Sequence, residues 1–97
     1  MVLIRKTNLF MKWLTGLRDQ KAIARIQIRI DRLALGNPGD VRPVGSGISE
    51  MRIDYGPGYR VYFSQRGSDL VILLCGGDKT TQTSDIEKAK RVNEGVQ

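Results

Sequence analysis

The stretch ISEMRIDYGPGYRVYFSQ, residues 48–65, decides how the chain is read. Met51, Ile53 and Tyr55 alternate with Glu50, Arg52 and Asp54. After a Gly56-Pro57-Gly58 turn, Tyr59, Val61 and Phe63 alternate with Arg60, Tyr62 and Ser64. Strict alternation on both sides of a glycine-rich turn predicts an antiparallel β-hairpin with one apolar and one polar face. A three-residue turn sets Tyr55 opposite Tyr59, Asp54 opposite Arg60, Arg52 opposite Tyr62 and Glu50 opposite Ser64. The polar face then carries Glu50, Arg52, Arg60 and Tyr62, with the Asp54–Arg60 pair bridging the strands.

Working outward from the hairpin, Val41 to Val44 reads as a short strand, placed at an edge by Pro43. Leu70 to Leu74 is a continuous apolar run, as expected of a strand buried on both faces, and Gly76-Gly77 breaks it. Thr81 to Asn93 reads as a final helix capped by Thr83 or Ser84, with Ile86, Ala89 and Val92 inward. Upstream, Phe10, Trp13, Leu14 and Leu17 fall at helical spacing behind a Thr7 or Asn8 cap. Asp19 caps a second helix, whose Ile23, Ile26, Ile30 and Leu33 form one face and whose Lys21, Arg25, Arg29 and Arg32 line another. Gly36 and Pro38 stop it. Within it, Ile26, Ile28 and Ile30 alternate as a strand would, but the cap and stop bracket a run of helical length. Residues 2–5 make a short first strand. The predicted order is β-α-α-β-β-β-β-α. This is an α+β protein, with an N-terminal αα-hairpin packed on one face of a twisted antiparallel sheet of four to five strands, and a short C-terminal helix.

Ninety-seven residues make one domain, 1–97. One cysteine excludes an internal disulfide and a cysteine-based zinc site. The absence of histidine removes the commonest metal ligand and the commonest general acid–base, and with them any Ser-His-Asp or Cys-His machinery. Neither metal nor cofactor is expected. No apolar run spans a bilayer and the first residues lack the apolar core of a signal peptide, so the expected location is the cytoplasm. The net charge of +6 lies in the first third: residues 1–36 hold eight Lys/Arg against two acids, and residues 37–97 balance eight against eight. Such asymmetry fits an acidic partner, nucleic acid or protein, or else a solvated helix face.

Two guanidiniums, with Lys79 following the neighbouring strand, suit a phosphodiester. Metal-free RNA cleavage needs a base for the 2′-hydroxyl, positive charge for the phosphorane and an acid for the 5′-oxygen. Arg52, Arg60 and Lys79 supply the charge. Glu50 is the base candidate, and the acid falls to Tyr62, Lys79, an arginine or water. Tyr62 also suits stacking on a base. The structural alternative is an exposed sheet face laced with cross-strand ion pairs. Cys75 and Trp13 read as core.

Three segments carry more than pattern: FMKWLTGLRDQKAIARIQIRIDRLALGNPGD (10–40), VGSGISEMRIDYGPGYRVYF (44–63) and LLCGGDKTTQTSDIEKAK (73–90). In order and spacing they resemble the RelE/ParE toxin superfamily of bacterial type II toxin–antitoxin systems, and most of all its phage-derived addiction module killer protein (HigB/RelE-like) branch. The resemblance implies a RelE-like fold. It implies either an mRNA endoribonuclease acting with the ribosome to inhibit translation, a ParE-like inhibitor of DNA gyrase, or a decayed toxin that only binds its antitoxin. Arg60 matches the arginine of the family's Gly-Tyr-Arg motif. Arg52 and Lys79 fall near two further functional cations, and Glu50 has a counterpart that serves as base in some members. The family's C-terminal tyrosine or histidine is missing, its place falling near Asp85, so Gln82 and Asp85 stand as active-site or helix-capping residues. The implied partners are mRNA or the ribosome, and a helix-turn-helix antitoxin. Arg25, Arg29 and Arg32 are the expected RNA-docking cations.

Overall fold

The computed structural model describes residues 1–96. Strand β1 (Leu3–Lys6) precedes helices α1 (Asn8–Thr15) and α2 (Gln20–Ala34). Strands β2 (Val41–Gly45), β3 (Ile48–Ile53), β4 (Tyr59–Arg66) and β5 (Leu70–Gly77) follow, then a 3₁₀ turn (Lys79–Thr81) and α3 (Gln82–Gly95). The protein is mixed α+β, with one five-stranded sheet and three helices.

The helix boundaries lie where the local chemistry sets them. Thr7 Oγ1 accepts the Phe10 amide at 3.0 Å and donates to the Leu74 carbonyl at 2.7 Å, so one cap also fastens α1 to β5. Asp19 accepts the Lys21 and Ala22 amides at the start of α2. Gly36, at φ 88°, ends α2: its amide meets the Leu33 carbonyl and the Asn37 amide the Arg32 carbonyl, a left-handed exit that suits glycine. Ile26 and Ile30 are buried whereas Ile28 is 48 % exposed, as one helical face requires.

The sheet order is β1-β5-β4-β3-β2. Four expectations are corrected. The sheet is mixed, because β1 adds to β5 in parallel while the other pairs are antiparallel. The helices cover both faces. Phe10, Leu14, Ile26, Ile30 and Leu33 of α1 and α2 pack on Met51, Val61, Phe63 and Leu73, whereas Ala89 of α3 packs with Ile48, Tyr62, Ile72 and Leu74 on the other side. A β5 apolar on both sides demands cover on both sides. Gly76 and Gly77 continue β5 rather than break it. Finally, α3 begins at Gln82 with no side-chain bond from its cap residue, and Asp78, not Thr83 or Ser84, caps the preceding 3₁₀ turn.

The hairpin is also re-registered. Ile53 pairs with Tyr59, Arg52 with Arg60, Glu50 with Tyr62 and Ile48 with Ser64, two residues away from the expected pairing. The cause is a five-residue connection, Asp54 to Gly58. Its core is a turn closed by the Gly58 amide on the Tyr55 carbonyl, with Gly56 and Gly58 at positive φ. An even shift leaves every side chain on its predicted face. It does replace the Asp54–Arg60 pair by a stack of two arginines.

A candidate anion cleft above a buried carboxylate

The register places Arg52 beside Arg60 and Glu50 beside Tyr62 on the α3 side of the sheet. Like charges directly across strands repel, and here one carboxylate holds them. Glu50 Oε1 accepts Arg52 Nε at 3.1 Å and Arg60 Nη1 at 2.8 Å. Its Oε2 accepts the Tyr62 hydroxyl at 3.2 Å and Gln82 Nε2 at 2.8 Å. Glu50 and Tyr62 are fully buried. Burial pushes the Glu50 carboxyl up, but the bonds from Gln82 and Arg52, the Arg60 charge and the Tyr62 hydroxyl together hold it below its ordinary value. Burial and the neighbouring Glu50 charge push the Tyr62 phenol well up, so it stays a donor. Among the described residues no buried side-chain nitrogen or oxygen lacks a partner.

Above this network lies a cleft of about 300 Å³ lined by Arg52, Arg60 and Lys79, together with Asp40, Asp54 and Tyr59. Lys79 comes from the 3₁₀ turn and packs against the hairpin turn, where a Cβ on Gly58 would lie 3.4 Å from its Cβ. Thus the three cations expected to share a face do share a cleft. Arg60 is nearly buried while Arg52 is partly open, so two guanidiniums held by Glu50 and one exposed ammonium meet there. Such a set can grip a tetrahedral oxyanion from two sides.

Other expected site residues lie elsewhere. The Tyr62 ring is fully buried beneath α3, so it offers no stacking surface. Tyr59, which alternation assigns to the core, packs there against Trp13 and is partly buried, and it also lines the cleft. Arg25 stacks over the Tyr55 ring at 4.7 Å. Arg29 donates to the Arg52 carbonyl and to the Pro38 and Asp40 carbonyls, capping the edge of β3 where β2 has ended. It is a brace rather than a free docking cation. Arg32 is exposed. Arg25, Arg29, Arg32 and Ile28 line a second groove of about 240 Å³, which meets the first at Ile53 and Asp54.

Gln82 and Asp85 lie in different surroundings. Gln82 reaches the site. Asp85 is buried in the first turn of α3, accepts the Thr81 hydroxyl and sits against Gly77. Cys75 is buried, and desolvation with the Asp85 charge pushes its thiol up to about 12, which makes it inert. Three contributions escaped the sequence: Asp40 and Tyr59 at the cleft, and the Arg29 brace. The only sequence signal for the brace is the Asn37-Pro38-Gly39-Asp40 turn. Gly39, at φ 73°, lies so close that a Cβ would stand 2.9 Å from Arg29 Nη2.

Among the described residues no cluster of His, Cys, Asp or Glu is placed to hold a metal ion, and no helix is long and apolar enough to cross a membrane.

The fold and cleft define a small α+β protein in which three cations line one cleft and a buried carboxylate holds two of them. The chain belongs to the Gp49-like family of phage-derived proteins, whose family model matches residues 12–94. This is a family associated with RelE-type addiction-module toxins. A Haemophilus influenzae protein described as uncharacterized is 53% identical over 87 residues, 90% of this chain and 88% of its own length. No solved structure matches the chain.

Proposed function

We propose that this protein is the toxin of a type II toxin–antitoxin module with a RelE-like fold, and that it cleaves mRNA in a metal-independent, ribosome-associated reaction that inhibits translation. The observation that carries this reading is the cleft of Arg52, Arg60 and Lys79, whose two guanidiniums are fixed in advance by one buried carboxylate. Membership of the Gp49-like family supports the toxin class.

The chemistry follows from charge. Attack of a 2′-oxygen forms a bond to the adjacent phosphorus as the bond to the 5′-oxygen breaks, leaving a 2′,3′-cyclic phosphate; water takes the 2′-hydroxyl proton, Lys79 or water returns one to the 5′-oxygen, and negative charge builds on the non-bridging oxygens meanwhile. Fixed guanidiniums stabilise that charge without reorganising. Lys79, on its exposed turn, can reach the leaving 5′-oxygen side. Tyr59 offers the aromatic edge that Tyr62 cannot. Groups in the cleft are nearly balanced, three cations against Asp40 and Asp54, so long-range attraction falls to the basic N-terminal third, with Arg25 and Arg32 at the adjoining groove. The proposed partners are mRNA with the ribosome and a small helix-turn-helix antitoxin, and the proposed location is the cytoplasm.

The test pairs two assays on the purified protein. Cleavage of ribosome-bound mRNA with undisturbed gyrase supercoiling supports the reading. Inhibited supercoiling with intact mRNA replaces it by the ParE-like alternative. Unimpaired growth on strong expression without any antitoxin indicates a decayed toxin.

A further inference from the structure

A general base must lie within hydrogen-bonding reach of the hydroxyl it deprotonates, and must have an oxygen to spare. Glu50 meets neither condition. It is fully buried, and both oxygens are taken by donors of this same chain: Arg52 and Arg60 on one, Tyr62 and Gln82 on the other. An anion so enclosed is a fixed counter-charge. Two cross-strand arginines would otherwise splay apart, and the shared Oε1 is what draws them to one point.

The arrangement has an aiming element. Gln82 is the first residue of α3 and donates to Oε2, the oxygen that the guanidiniums do not use. With Tyr62 it fixes the carboxylate so that Oε1 faces the arginines. The capping box between Asp78 and Thr81 holds the turn that delivers Gln82. We infer that Glu50 is a positioning residue for the Arg52–Arg60 pair rather than the proton acceptor, and that Gln82 positions it in turn, so that the seating of α3 on the sheet sets the geometry of the anion cleft. The functional consequence rests on the RNA-cleaving reading; the positioning itself does not.

The test uses full-length wild type, Glu50→Gln and Gln82→Met. Cleavage of an RNA oligonucleotide is followed from about pH 3 to pH 9, because the Glu50 carboxyl is held below its ordinary value and a limb from it would fall at the acid end. Affinity is measured with the 2′-O-methyl form of the same oligonucleotide, which cannot react. Gln82→Met should raise both KM and the Kd of the unreactive RNA by about tenfold, the scale of one lost bond to a charged group. The shape of the pH profile should be the same in wild type and in both variants. A catalytic base behaves oppositely: Glu50→Gln removes the limb and collapses kcat with the Kd unchanged, and Gln82→Met is silent. That pattern overturns the inference.

A second readout needs no RNA. The Nε–H NMR signals of Arg52 and Arg60 should be sharp in wild type, and displaced or broadened in Gln82→Met. Unchanged signals for both arginines overturn the positioning role even if wild type neither cleaves nor binds RNA, an outcome that by itself overturns only the RNA reading. Should Glu50→Gln fail to fold, Gln82→Met carries the test alone.

Discussion

Gly76 and Gly77 show how much of the site depends on two absent methyl groups. The pair reads as a strand break, yet both lie within β5 and face opposite sides of the sheet. A Cβ on Gly76 would fall 2.2 Å from the Trp13 ring, and one on Gly77 would fall 1.7 Å from Asp85 Oδ2. Each therefore admits a helix side chain to the backbone. Gly77→Ala should cost about 1–3 kcal/mol, as overpacking of a filled interior does, read by urea denaturation. Because Gly77 also pairs with Arg60, the same substitution should weaken anion binding. Glu50 makes a pH prediction. Its folded carboxyl is held below the ordinary value of 4.5, so the stabilisation is complete above that value and is lost as pH falls through the lower folded one. Thermal melts of wild type should decline as the solution is acidified below the ordinary carboxylate range. Glu50→Gln should be less stable at neutral pH and should lose less on acidification. Part of the slope should persist, since the Tyr55 hydrogen bond at Asp19 and the Thr80 hydrogen bond at Asp78 lower those carboxyls as well.

At the scale of elements, the Arg29 brace joins α2 to the end of β3. The guanidinium donates to the carbonyls of Arg52, Pro38 and Asp40, where the chain enters β2 beside the end of β3. Arg29→Met keeps the stem and removes those bonds. It should destabilise the protein by about 1–3 kcal/mol, and it should loosen the backbone of Arg52 more than that of β4, a difference that amide hydrogen exchange resolves. Gly39→Ala should act in the same direction. The Thr7 cap makes a parallel case, with Thr7→Ala costing about 1 kcal/mol. The strands were legible in the sequence where one periodicity dominates, residues 48–53 and 59–66, and the helix at 20–34 where a cap and a stop bracket a run of helical length. Register was not, because alternation fixes the face of a side chain and not its partner, and a turn of five residues presents the same faces as one of three. The parallel β1 was hidden as well, since nothing within residues 2–5 encodes which edge accepts them.

For the whole molecule, the surplus of six positive charges belongs to the first third of the chain, and the cleft does not. The two adjoin at Ile53 and Asp54. Charge reversal at Arg25 and Arg32 should therefore slow association and flatten its salt dependence, with less effect on turnover of bound RNA. Arg29 is unsuited to that test because its removal disturbs the fold. The cations of the cleft were legible from alternation and motif, since Arg52, Arg60 and Lys79 converge as their spacing implies. The task of Glu50 was not. A glutamate on a polar strand face reads as solvent-exposed until α3 covers it, and no local pattern announces that a distant Gln82 occupies its second oxygen.

In the proposed function the cleft of Arg52, Arg60 and Lys79 cleaves mRNA. Primer extension on cellular mRNA after induction tests it most directly, comparing wild type with an Arg60→Ala variant shown by circular dichroism to be folded. Wild type should give discrete cleavage sites, and the variant should lose them. Growth arrest with uncut mRNA, or sites unchanged in the variant, would contradict that function.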